Sequence, residues 1–257
     1  MVEHVIREFQ YNQRIVSNQL FYVDSDKGDD TNGIGTRQYP FKTIKRAVEE
    51  CTPNSASLSI SLRTGLDYFI DSDIPLSTKI VRFYKYTEPG DSPLCKPRLI
   101  NRSWFSTSDM MNYTYGFFGI GLTTISFMNI DIQTADPMSP GRPFKNGQGL
   151  IKGIDFSSYQ LMFYQCNINL RSSLLSYPEN IPSGVIDVSI YNSTINVVNS
   201  NSYIVQNTCG RPVIIDVVDR CDINLPNSGS GSILDLVSDI VRDSNNVPRN
   251  IICNGVI

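Results

Sequence analysis

The sequence predicts an all-β protein wound as a parallel β-helix with three sheets, and three observations carry that expectation. The first is composition. Among 257 residues Ala occurs three times and Glu six, whereas Ile and Ser reach 29 each and Asn 22. Ala and Glu are strong helix formers, Ile favours strands, and Ser and Asn favour turns, so a largely helical chain is excluded. The second is a repeat of short apolar-polar segments in the second half of the chain, at a period of a few tens of residues. The third is that helical spacing is confined to two short stretches near the start.

Taken in order, Val2, Val5, Ile6 and Phe9 stand at i, i+3, i+4 and i+7, the pattern of one amphipathic helical turn pair. This gives residues 1–20 the expectation of a docking segment, with Gln10 to Gln19 as a polar linker. A second unit, residues 21–56, opens with the short strand Phe21-Tyr22-Val23 and a long acidic, Gly-rich loop. Pro40 then precedes Phe41, Ile44, Val48 and Cys51, whose spacing predicts a helix with one apolar face, with Pro53 just past its end. A helix with one apolar face must cover an apolar surface.

Residues 57–257 read as strands. Leu58, Ile60 and Leu62 alternate with Ser59 and Ser61, Gly65 marks a turn, and Tyr68–Ile70 and Ile80–Tyr84 follow. Pro89 to Tyr115 reads as a lateral loop around Trp104 and Phe105. Four later segments superpose: ISFMNIDI from Ile125, FYQCNINL from Phe163, IYNSTINV from Ile190 and VDRCDINL from Val218. The superposition aligns Ile130, Ile168, Ile195 and Ile223, at offsets of 38, 27 and 28 residues. Companion strands are expected at Leu150-Ile151, Leu174-Leu175, Ile204-Val205 and Ile233-Leu234, and at Ile154–Phe156, Val185–Val188 and Val213–Val217. Three short strands per turn, stacking at about 4.8 Å, give roughly seven coils and a column about 35 Å tall.

The run YVDSDKGDDTNGIGTRQYPFKTIKRAVEEC, Tyr22 to Cys51, followed by SISLRTGLDYFI, resembles the start of pectate-lyase-like (pectin-lyase-like) β-helix proteins, especially bacteriophage tailspike and tail-fibre proteins. The resemblance implies a single-stranded right-handed parallel β-helix whose first strand and N-terminal α-helix cap the lower end of the column. It also implies a virion location in the tail or another exterior part after synthesis in the host cytoplasm, a homotrimer, and a role in host attachment.

Charge narrows the partners. A formal net charge of -3 and a pI near 5.2 speak against a nucleic-acid backbone or an anionic membrane surface. No apolar run approaches the roughly 20 residues of a membrane span, and Met1 to Leu20 lacks a signal-peptide pattern, so the expectation is a soluble chain that is not exported. His4 is the single histidine, which removes most His-dependent catalysis. The six cysteines show no CxxC pair and are expected as free, mostly buried thiols. No cofactor is expected.

Alternation places Asn169, Asn196 and Asn224 outward as a ladder down the column, with Asp131 at one end. Asp155, Asp187 and Asp216 each neighbour an Ile in a companion strand. On adjacent coils two of them would stand about 5 Å apart, the separation a retaining glycosidase needs, which makes them the low-priority catalytic candidates. Asp24, Asp26 and Asp30 alternate as in a calcium loop, but an EF-hand needs Gly and Glu where Asp29 and Gly35 stand, so the loop is expected to be a hydrogen-bonded turn. The expected role is a structural and adhesive virion component acting by contact with other virion proteins and with host glycan. The alternatives are a polysaccharide depolymerase using the paired carboxylates, and a purely architectural decoration or adaptor protein.

Overall fold

A computed structural model describes residues 18–52, 55–154, 157–178, 184–208, 210–226 and 229–255. Nearly all of its regular structure belongs to three sheets that the chain visits in rotation. Sheet A has eight parallel strands: Asn18–Val23, Ser57–Arg63, Ile80–Tyr86, Leu122–Met128, Ser158–Tyr164, Ile186–Tyr191, Val213–Val218 and Ile251–Gly255. Sheet B holds Asp67–Ile70, Arg98–Asn101, Asp131–Gln133, Asn167–Leu170, Thr194–Val197 and Asp222–Leu225, with Gly229–Ser230 added antiparallel at its end. Sheet C holds Ile74–Leu76, Phe117–Gly119, Ile151–Lys152, Leu175–Ser176 and Val205–Gln206.

The chain passes A to B to C five times with strands in every sheet, and a bridge from Val205 to Val237 closes a sixth turn. Numbering coils from Ser57–Arg63, strand Ile251–Gly255 begins a seventh. The result is a parallel β-helix-like, all-β column. Among the described residues no helix is long and apolar enough to cross a membrane.

Period-2 alternation explains the core. On sheet A, Leu58, Val81, Ile125, Leu161, Val188 and Ile215 stack in one inward file, and Ile60, Phe83, Phe127, Phe163, Ile190 and Val217 in the next. Phe83, Phe127 and Phe163 lie face to face, with centroids 5.1 and 5.4 Å apart and planes within 6°. Such stacked pairs contribute about 0.5–1.5 kcal/mol each beyond their buried area.

The four superposed segments are each two strands bent around one residue, not single strands. Asn129, Gln165, Asn192 and Asp219 all have positive φ, between 46° and 62°, and turn the chain from sheet A into sheet B. Asn and Asp tolerate this conformation best among residues with a side chain. The bend shifts the register of the first segment: Ile132, not Ile130, opposes Ile168, because Phe127 stacks on Phe163. In the last segment sheet A pairs Ile190 with Val217 while sheet B pairs Ile195 with Ile223, so one extra residue is absorbed in the turn at Asp219–Cys221. Ile233–Leu236 forms a 3-10 helix in place of the expected strand, and Asp155 and Phe156 of the strand expected from Ile154 lie outside the described residues.

The helix α1 spans Ile44–Glu49, shorter than its apolar spacing suggested, with Phe41 and Cys51 buried just outside it. It touches the first strands of all three sheets, so Ile44, Ala47 and Val48 cover the end of the bore. Burying such aliphatic side chains contributes about 1.5–3 kcal/mol each for Ile and Val. The sheet A strand begins at Asn18, inside the stretch expected to be linker; the docking candidates Val2, Val5, Ile6 and Phe9 lie outside the described residues.

Among the described residues five cysteines are free thiols; Cys51 and Cys166 are buried, Cys221 and Cys253 half-buried, and Cys95 exposed, so burial is less general than expected.

Candidate functional site

The column offers two contrasting outer faces. On sheet B one outward row runs Asp67, Arg98, Asp131, Asn167, and another runs Gln133, Asn169, Asn196, Asn224. In the second row the Asn196 amide donates to Asn169 Oδ1 at 3.0 Å, and the Asn224 amide donates to Asn196 Oδ1 at 2.8 Å. Asn196 therefore uses one N–H and one lone pair within the ladder, and Asn169 one lone pair. Asp131 is not the end of this row. It stands in the first row, where the Asn167 amide donates to it at 2.8 Å and Lys96 lies 3.7 Å away. Arg98 forks onto Asp67 at 2.9 and 2.7 Å, which raises the guanidinium's already high pKa.

Beyond the ladder, the B-to-C turns carry arginines that the sequence reading did not single out. Thr134 is fully buried and accepts from the backbone N–H groups of Arg171 and Ser172 on the next coil, at 2.8 and 2.9 Å. The Asn199 amide donates to the Arg171 carbonyl from the coil after that. So fixed, Arg171 reaches Asp136 with one nitrogen at 3.0 and 2.9 Å from the two carboxylate oxygens. On one side of this pair lies a cavity of about 340 Å3, and on the other a cavity of about 270 Å3 that includes Arg102, Gln133 and Asp136. Arg102 itself sits 4.1 Å from the centroid of Phe69.

The expected lateral loop contains an antiparallel hairpin, Ser103–Ser106 with Met111–Thr114, on which Trp104 stacks over Tyr113 at 4.4 Å. The Tyr113 hydroxyl and Lys145 hold the Asp109 carboxyl down at about 2, the hydroxyl being the stronger influence. Phe117 belongs elsewhere, in the core. A second excursion, residues 134–149, packs on the hairpin through Asn112, whose fully buried amide donates to the carbonyls of Ser139 and Arg142 and accepts from the Ser139 N–H.

The carboxylate candidates do not come together as expected. Asp187 opposes Gln160 and Ile214, whereas Asp216 opposes Ser189 and Asn254. They are diagonal neighbours two positions apart along the strands, about 7–8 Å, rather than an in-register pair at about 5 Å. The Gln160 amide donates to Asp187 at 3.2 Å. Asp155 lies outside the described residues.

The acidic loop is a set of turns. Asp24 accepts from the N–H groups of Asp26 and Lys27 and pairs with Arg63 at 3.0 Å. Asp30 accepts from the N–H groups of Lys42 and Thr43 and from the Thr43 hydroxyl, which itself caps α1. Asp26 is exposed beside them. Among the described residues no group of three or more His, Cys, Asp and Glu is gathered as a metal site.

Sheet A presents the opposite chemistry. One of its outward rows stacks Tyr84, Met128, Tyr164, Tyr191 and Val218 on successive coils, with Met162 two residues before Tyr164 on the same face; Ile252 stands apart, opposite Ile214 in another row. Tyr164 is 39% exposed, Met162 37% and Ile252 61%. These positions were legible in principle, since each Tyr directly follows an inward Phe or Ile. Comparison of the chain with protein-family models, curated proteins and solved structures returns no match.

Proposed function

We propose that this chain is a structural and adhesive column of a bacteriophage virion, a right-handed β-helix closed at one end by α1. It acts by contact with copies of itself and other virion proteins and by glycan contact along sheet B. The phage assignment rests on the resemblance of Tyr22–Cys51 to tailspike and tail-fibre proteins. The right hand rests on the strong general preference of parallel crossover connections for that hand. Residues 1–17 then serve as the docking segment ahead of sheet A.

The observation that carries the contact reading is the Tyr/Met/Val row of sheet A. Five coils in succession place an apolar or aromatic side chain on the same outward line. Contiguous exposed apolar surface of this kind marks interaction sites, and Tyr and Met are enriched where proteins meet. A symmetric oligomer would cover it on every copy.

The test is the mass of the particle in solution. Light scattering on the purified chain should give a trimer, and Tyr164→Glu with Tyr191→Glu should give a monomer with unchanged far-ultraviolet dichroism. A wild-type monomer at concentrations of tens of micromolar would sink the assembly reading.

A further inference from the structure

The cavity of about 340 Å3 lies between the excursion 134–149 and the B-to-C turns of coils 4 and 5. Its lining contains Arg142 and Arg171 and no carboxylate, in a chain whose net charge is -3. Arg171 is partly neutralised by Asp136, but Arg142 enters no ion pair among the described residues.

We propose that this cavity binds an anionic group carried on a sugar ring, with Arg142 as its counter-charge. A guanidinium presents a planar fork of donors matched to carboxylate and phosphate oxygens. The exposed amide of Asn201 supplies hydrogen bonds for ring hydroxyls. Phe144 supplies an apolar wall for the ring's C–H face. The volume sits at the lower end of the range for small-ligand cavities, which suits a single ring and its substituent better than a folded partner.

Both walls are fixed before any ligand arrives. Asn112 holds the carbonyl of Arg142, and Thr134 holds the backbone of Arg171 and Ser172. Gln206 is committed as a brace, accepting from Ser176 and donating to Asn146. Preorganisation of this kind spares the ligand the ordering cost that a mobile loop would impose.

This proposal rests on the glycan-contact half of the reading above, and its test separates the two. The full chain is titrated by ligand-observed NMR with glucuronate, glucose 6-phosphate and glucose, three probes that share a ring and differ in charge. Acetate and a short Glu-containing peptide complete the series. At least one anionic sugar is expected to bind about tenfold or more tightly than glucose, the worth of one charge-assisted hydrogen bond, and glucuronate against the phosphate decides which anion is read. Arg142→Ala should remove that preference while leaving the melting temperature unchanged, because the side chain is exposed on the excursion, and Arg142→Lys should restore part of it. Equal binding of glucose would overturn the anionic site and leave glycan contact standing. No binding of any sugar would overturn both. Binding of acetate or the peptide as tight as that of the sugars would overturn the role of the ring.

Discussion

Single residues set the turn geometry of the column. At the A-to-B bend, Gln165 has φ 54° where the neighbouring coils use Asn129, Asn192 and Asp219. A left-handed backbone costs an ordinary L-residue about 1–2 kcal/mol, and Asn less. Gln165→Asn is therefore expected to raise stability by about 0.5 kcal/mol, read as a higher urea midpoint with an unchanged slope. These turn residues lie within the four superposed segments and were legible there only as residues inside strands, because the apolar pattern alone does not report the sign of φ. Thiol chemistry also belongs to this scale. Burial pushes the Cys166 thiol up to about 11, whereas Cys95 is exposed. Iodoacetamide at neutral pH should label Cys95 and spare Cys166 until the chain unfolds, as peptide mass mapping will show; early labelling of Cys166 would contradict its place in the core.

Elements are coupled by a few buried groups. Phe127 lies in the middle of the three-ring stack, and Phe127→Ala should cost about 3–5 kcal/mol, the usual loss for a fully buried aromatic, measured by chemical denaturation. Asn112→Ala removes the three bonds that pin excursion 134–149 to the hairpin. The expected result is rapid proteolytic cutting within 134–149 while the strands on either side stay protected. At the capped end, Arg63 bridges Asp24 and Asp91, and its hydrogen bonds hold the Asp91 carboxyl down at about 2. The folded value lies below the ordinary carboxylate value near 3.9. Its stabilisation is therefore complete above about pH 4, falls as pH drops through that window, and is gone below about pH 2. Asp91→Asn should flatten this acid limb of the stability curve; an unchanged limb would show that other carboxylates govern it. The helix of the cap was legible from four apolar positions, but its clamp was not, since Asp30 reaches Lys42 and Thr43 only after the loop folds back.

At the scale of the whole molecule the column separates two kinds of surface that one sequence interleaves. Strands of sheet A alternate between the bore and the outside, and five of them each place one residue on the Tyr/Met/Val row, while sheet B alternates between the bore and polar rows that include the amide ladder. Breaking the ladder should be mild. Asn196→Ala removes two partly exposed amide bonds and should cost about 1 kcal/mol, with no change in oligomeric mass. Tyr164→Glu with Tyr191→Glu should do the reverse, changing mass and leaving the fold. If the ladder variant dissociates the particle, the two faces are not independent.

Composition and periodicity determined the class of this protein: scarce Ala and Glu, abundant Ile, Ser and Asn, and a repeat of about 28 residues leave a stacked β architecture as the way to bury the apolar half of each strand. They also determined which residues share a face within a strand, because that follows from the pleat alone. Register between coils was decided only in three dimensions. A slip of two residues keeps every side chain on its own face, so the apolar pattern cannot detect it, and the stacking of Phe127 on Phe163 selects the pairing. That choice places Asp131 beside Asn167, the pairing of Val188 with Ile215 two coils on keeps Asp187 and Asp216 out of line, and residues 134–149 line a cavity with Arg171. Sites made across coils depend on register, and register depends on packing that no single segment contains.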